Sequence, residues 1–180
     1  MDAITCLKER RSVRKFTEEA IPTALLEEIV EAARYAPSWK NSQTVRYIAL
    51  YEPQEKAKLA ETCTLTNPYN SKIICRSAVL VIVVSRRGVS GYEPDGTPST
   101  PLGDHWTSFD AGIAAQSFCL AAHSKGVGTV ILGIYDHRRV AELLELPEGE
   151  QVSALIAAGY PEKIGTAPAR KSVGELLSIR

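Results

Sequence analysis

Four cations fall within six residues, Arg10, Arg11, Arg14 and Lys15, in a chain of 180 residues that otherwise balances 21 Lys and Arg against 21 Asp and Glu. Arginine presents a planar fork of N–H donors that fits phosphate, and Ser12 adds a hydroxyl in the middle of the run. That combination suits capture of an anion. The same run also has an ordinary use, as the solvated basic end of a helix whose dipole favours positive charge. Val13 and Phe16 alternate with Ser12 and Arg14, which predicts extended chain with some cations sent to one side.

A second group follows at 36–43, Ala-Pro-Ser-Trp-Lys-Asn-Ser-Gln. Pro37 must end a preceding helix, and Ser38, Asn41 and Gln43 are common connecting-loop residues. Amides and hydroxyls in this density would equally read the donors and acceptors of a flat heteroaromatic ring, with Trp39 beside them. A third group, Gly-Val-Gly-Thr-Val-Ile-Leu-Gly at 126–133, follows a helix instead of opening one and lacks the last glycine of the dinucleotide fingerprint, so a Rossmann site is rejected. Gly133 could still bring backbone close to a ligand. The fourth group, Arg170 and Lys171 behind Pro168, is by itself a solvated tail.

Acid–base equipment is sparse. There is no Gly-x-Ser-x-Gly, no Walker loop and no His-Glu-x-x-His. His105, His123 and His137 fall within or at the starts of expected helices. Cys6, Cys63, Cys75 and Cys119 lack zinc spacing and are expected as buried free thiols. A chain so equipped leaves its chemistry to a cofactor. Zero net charge argues against nucleic acid or a membrane surface as partner. The longest apolar run, 78–84, is seven residues, against the ~20 needed to cross a bilayer. The amino-terminal residues lack the apolar stretch of a secretory signal, so the cytoplasm is the expected location.

The elements that must position these groups follow from periodicity. Residues 23–36 repeat apolar side chains at helical spacing between two prolines; 45–51 reads as a strand and 53–62 as a short solvated helix. The run at 78–84 predicts a strand buried on both faces and central in a sheet. Residues 86–103 hold four Gly and three Pro, which marks a long functional or mobile loop. A helix over 104–125 is apolar nearly all round, which a second copy of the chain would help to cover. A short strand at 129–132, a helix capped by Asp136 and running to 144, and a strand at 152–158 complete the chain. Strands interleaved with helices without strict alternation suggest an α+β or mixed α/β sheet in one domain.

In this order and at these spacings the four groups resemble the FMN-dependent nitroreductase family over essentially the whole chain. Arg-Arg-Ser-Val-Arg at 10–14 resembles its basic flavin-binding motif, and Pro-Ser-Trp-Lys-Asn-Ser-Gln at 37–43 its second motif. Residues 110–129 resemble its dimer-forming helix and following strand. Gly-Tyr-Pro at 159–161 with Arg170 and Lys171 resembles its closing segment.

The resemblance implies an α+β sandwich in which helices flank a central mixed, mainly antiparallel sheet, as a single domain over 1–180 with a mobile loop at 86–103. It implies an intertwined homodimer binding FMN at the subunit interface, with ping-pong electron transfer from NAD(P)H to nitroaromatics, quinones or similar small acceptors. Arg10 and Ser12 would hold the phosphate and ribityl chain, with Arg170 or Lys171 adding charge to the phosphate and Arg11 among the cofactor-binding residues. No side chain would be catalytic in its own right; Arg14 would sit near the pyrimidine edge as an electrostatic tuner. Pro37, Ser38 and Asn41 would come from the partner chain, Trp39 and Gln43 of the same motif would also bind the cofactor, and Ile131, Leu132 and Gly133 would approach the ring with backbone groups. Asn70 and Lys72 match a mid-chain polar pair at departing spacing. Thr44 and Val45 stand where many members have Pro-Trp. Two other readings use the same residues, an FMN storage or sensor protein without turnover and an anion-binding module without flavin.

Overall fold

The computed structural model describes residues 1–180. Its centre is a four-stranded sheet made of β1 (Val45–Leu50), β2 (Val79–Arg86), β3 (Gly128–Leu132) and β4 (Glu150–Gly159), in the spatial order β1-β2-β4-β3 with every neighbouring pair antiparallel. β2 is central, as its unbroken apolar run requires, and is buried along its length except at Arg86. It begins at Val79 and reaches Arg86, so the expected strand shifts one residue at its start and the following loop opens after Arg86.

Alternation along β2 builds two cores. Leu80, Ile82 and Val84 face α3 (Pro53–Cys63), α4 (Pro68–Arg76) and α6 (His137–Leu143), packing with Leu59, Ile74 and Val140. Val79, Val81 and Val83 face α2 (Thr23–Ala33) and α5 (His105–Ser124), packing with Ile29, Phe118 and Ala122. The expected α+β sandwich is therefore present, with helices on both faces of the sheet.

Several helix starts follow from local chemistry. Asp136 caps α6 by accepting from the backbone N–H groups of Arg138 and Arg139. Pro53 and Pro68 sit at the first turns of α3 and α4, where a missing N–H costs nothing, and Asn67 caps α4. The sequence reading did not anticipate α4, nor α1 (Ala3–Glu9), which Asp2 caps, nor the one-turn α7 (Val173–Leu176). α2 stops at Ala33, three residues short of the expected end.

α5 runs almost as expected, but only one stripe of it is covered: Asp110, Ala111, Ala114, Ala115, Phe118, Cys119 and Ala122 are buried, while Phe109, Gly112 and Gln116 stay exposed. Burial all round is therefore not achieved within one chain. All four cysteines are free, and Cys75 is exposed on α4 instead of buried. No helix is long and apolar enough to cross a membrane.

Candidate functional site

The basic segment is extended, and two glycines let it lie tight against the sheet. Val13 N–H donates to the Thr129 carbonyl at 2.9 Å and Thr17 N–H to that of Tyr160 at 2.9 Å. Val13 sits over Gly128 and Phe16 over Gly159; a Cβ at either glycine would come within 2.8 Å of the side chain above it. With Val13 and Phe16 buried, Ser12, Arg14 and Lys15 face solvent, as the alternation predicts. Arg10 and Arg14 enter no ion pair. Arg11 behaves differently: its guanidinium turns back to donate to the Lys8 and Arg10 carbonyls at 2.6 and 2.8 Å, capping the end of α1.

Behind this segment stands His123 in the last turn of α5, its Nε2 buried without a hydrogen-bond partner. Burial holds its imidazole below the usual value; Glu9 opposes that shift, and Arg10 and Arg11 add to it.

Past the basic segment, β3 leads to an open apolar strip. Leu132 is buried in the core, so only its backbone could face a ligand, whereas Ile131 and Ile134 are about half exposed at 46% and 54%. A Cβ at Gly133 would meet nothing within 4 Å. Asn70 joins this strip, because its Nδ2 donates to the Ile134 carbonyl at 3.0 Å, and Lys72 is exposed one turn-half further along α4. The structure thus brings Arg10, Ser12, Arg14, Asn70 and residues 131–133 together along one edge of the sheet, while Lys72, half a helical turn on from Asn70, lies on another side of α4.

The group at 37–43 lies elsewhere. Trp39 N–H donates to both Asp110 carboxyl oxygens, at 3.2 and 3.0 Å, near the start of α5. Ser90 donates to Asp110 Oδ2 at 2.6 Å, and its hydroxyl also meets those of Ser42 and Thr44, each at 3.2 Å. Gln43 N–H donates to Ser38 Oγ at 3.0 Å. Trp39 packs against Trp106 with ring centroids 4.6 Å apart and planes tilted by 49°. Lys40 pairs with Glu93 of the following long loop at 3.0 Å. A groove of about 520 Å³ between α2 and β1 borders this loop through Pro37, Ser38 and Gln43 and does not reach the basic segment.

The two groups are held at opposite ends of α5. Asp110 anchors the 37–43 loop, while the Leu120 carbonyl accepts from Cys6 of α1, the helix that delivers the basic segment. Ten residues of helix between those anchors span about 15 Å. Arg170 and Lys171 join neither group: residues 162–180 are exposed throughout, and Arg170 donates only to the nearby Pro168 and Ala169 carbonyls.

Sequence reasoning placed Ser42 and Thr44 in or beside this loop but missed Asp110 and Ser90 as the groups that bind it. One signal was available, a lone acid on the apolar stripe of α5, where an unpaired carboxyl would be costly.

An antiparallel sheet between two helical layers, with a cationic strip along one edge and a separate loop bearing Asn41 and Gln43, defines the class of the protein as α+β. The chain belongs to the nitroreductase family, whose model matches residues 7–72 and 65–160. A protein of Methanothermobacter thermautotrophicus, provisionally named NADH dehydrogenase/NAD(P)H nitroreductase, is 29% identical over 175 residues, covering 92% of this chain and 81% of its own. The NAD(P)H-linked FMN reductase of Bacillus subtilis is 28% identical over 169 residues, covering 89% of this chain and 66% of its own. A crystal structure from Desulfovibrio desulfuricans, solved in complex with FMN, superposes with a TM-score of 0.78 at 26% identity, covering 100% of this chain and 98% of its own.

Proposed function

We propose that the chain is an FMN-dependent oxidoreductase that draws electrons from NAD(P)H and passes them, in ping-pong order, to nitroaromatics, quinones or similar small acceptors. It works as a homodimer with FMN between the subunits. One observation supports the dimeric reading: the side chains suited to flavin form two exposed groups anchored about 15 Å apart on α5, and a second chain could set its 37–43 loop beside the basic segment of the first. The uncovered face of α5, with Phe109 59% exposed, and the exposed apolar residues Ile164, Val173, Leu176, Leu177 and Ile179 of the tail supply surface for such an association.

The residues suit FMN. A phosphate group needs cations not committed elsewhere, and Arg10 and Arg14 are unpaired beside the exposed Ser12 hydroxyl. A flat ring needs an apolar floor open to close approach, which Ile131, Gly133 and Ile134 offer. When bound, FMN supplies the uptake and release of electrons that no side chain of this protein can provide.

The chain's own residues then have separable tasks. Arg10 and Ser12 hold the phosphate and ribityl chain, with Arg170 or Lys171 recruited from the tail. Arg14 holds a fixed positive charge at the pyrimidine edge. Asn70, fixed by its bond to the Ile134 carbonyl, and Lys72 border the ring, while Ser38, Trp39, Asn41 and Gln43 of the second chain close the site from the other side. Because the donor and the acceptor occupy the same open face in turn, the site needs no second binding pocket.

The visible spectrum of the purified protein tests this reading. It should carry the oxidised-flavin absorption, NAD(P)H should bleach it without oxygen, and a quinone or nitroaromatic should restore it. Bleaching without restoration would leave a flavin-binding protein without turnover; a colourless protein that ignores added FMN would remove the flavin reading.

A further inference from the structure

We propose that Asp110 is a positioning residue for the flavin site, holding the 38–43 loop in the one shape in which Ser38, Asn41 and Gln43 can meet the flavin, while touching no flavin itself. This inference rests on the FMN reading above.

Asp110 is 3% exposed, in a helix stripe otherwise made of Ala, Phe, Cys and Thr. A carboxyl taken out of water must be repaid in hydrogen bonds, so its partners show what it is for. All of them lead to the loop. Trp39 N–H reaches it directly at the loop's start, and Ser90, itself fully buried, links it to the hydroxyls of Ser42 and Thr44 at the loop's end. One carboxyl thereby fixes both ends of a short segment.

The segment needs such a clamp. Lys40, Asn41 and Gln43 adopt φ of 45°, 55° and 49°, the left-handed region that Asn tolerates and that Lys and Gln rarely enter. Released, the loop would relax toward ordinary backbone and carry Asn41 and Gln43 elsewhere. Of the other ties, the Lys40–Glu93 pair is exposed, the Gln43 to Ser38 bond lies within the loop, and Trp39 packs on Trp106, which is itself only half-buried and makes no polar bond to the loop. Asp110 is the buried attachment to the scaffold.

The test is FMN titration of the stripped dimer, followed by quenching of flavin fluorescence. Asp110→Ala leaves the Trp39 N–H and the Ser90 hydroxyl without their acceptor, and the FMN Kd should rise about tenfold or more. Asp110→Asn keeps an oxygen where Oδ2 lies, able to accept from both donors, but sets an NH2 against the Trp39 N–H where Oδ1 was, so its FMN Kd should rise less than that of Asp110→Ala. A double-mutant cycle separates positioning from general loosening. If Asp110 acts through the loop, the penalty of Asn41→Ala shrinks when Asp110→Ala is already present; a merely weakened fold leaves the two penalties multiplying.

Should Asp110→Ala fail to fold, Ser90→Ala removes one donor and should give a smaller rise in Kd with the same loss of additivity. Wild-type-like FMN binding by Asp110→Ala, or a full Asn41→Ala penalty in the variant background, overturns the proposal for Asp110 and leaves the flavin reading standing. Failure of the wild-type protein to bind FMN removes both.

Discussion

The strongest consequence of the two separated groups is that defects in them should complement across a dimer. Consider Arg10→Ala in one subunit and Asn41→Ala in the other. Arg10 lies with α1 near Leu120 of α5, and Asn41 lies in the loop anchored at Asp110, with about 15 Å of helix between the anchors. If each site takes its basic segment from one subunit and its amide loop from the other, one site of this heterodimer collects both defects and the other collects none. If each site belongs to a single chain, both sites keep one defect. Two affinity tags isolate the heterodimer, and NAD(P)H-driven quinone reduction reads its turnover against each mutant homodimer. With independent sites the shared arrangement predicts about half the wild-type rate and half the wild-type flavin content. Activity no higher than the mean of the two impaired homodimers would refute the shared site.

Other perturbations address single contacts. Gly159→Ala places a Cβ 2.8 Å from Phe16 Cδ1 and Cγ and 2.9 Å from its Cβ, too near the backbone to be relieved by a ring flip, so it should cost about 1–3 kcal/mol in urea unfolding; wild-type stability would mean that the 12–16 segment is not held by this contact. Burial lowers the His123 pKa in the fold, so the unfolded chain takes up the proton first as pH falls; stability is full above the ordinary imidazole value, near 6.5, and declines as pH drops below it toward the depressed folded value. His123→Gln should therefore lose less melting temperature than the wild type when stripped protein is taken from about pH 7.5 to about pH 5.5, and equal losses would exclude His123 as a source. Arg14→Ala, loaded with FMN, should show a lower flavin midpoint potential, since a fixed cation favours the more negative reduced form; an unchanged potential would remove Arg14 from that role.

What could be read in the sequence was whatever side chains announce by their own type. The apolar run that became β2 and the long stripe that became α5 need no knowledge of neighbours, because burial on both faces, or along most of a helix, is written in composition. α4 carried a weaker pattern. Its two fully or nearly buried isoleucines, Ile73 and Ile74, are adjacent in sequence, and polar residues on either side blur any period, so only the Asn67-Pro68 start marked it. α1 offers a single buried residue, Cys6, and leaves Ile4 and Leu7 exposed.

The candidate site divides along the same line. Arg10, Ser12, Arg14, Asn41 and Gln43 were visible as solvent-facing polar residues, and the structure leaves them exposed or half-buried. Arg11 was counted with its neighbours because a guanidinium looks alike whether it waits for a ligand or caps a helix. The acceptors that commit it are backbone carbonyls, and every residue has one. Asp110 showed as a lone acid on an apolar stripe, but what it holds was hidden for the same reason: its anchor point is the amide of a residue 71 positions away, a group that has no signature in the sequence. Side-chain identity therefore nominates candidate ligand groups, whereas a group that holds them in place can work through distant backbone. A search for further positioning residues in this chain should accordingly begin from buried polar side chains bonded to distant backbone, and Lys56, buried on α3 and donating to the Ser77 and Ala78 carbonyls where α4 passes into β2, meets that description at the other face of the sheet.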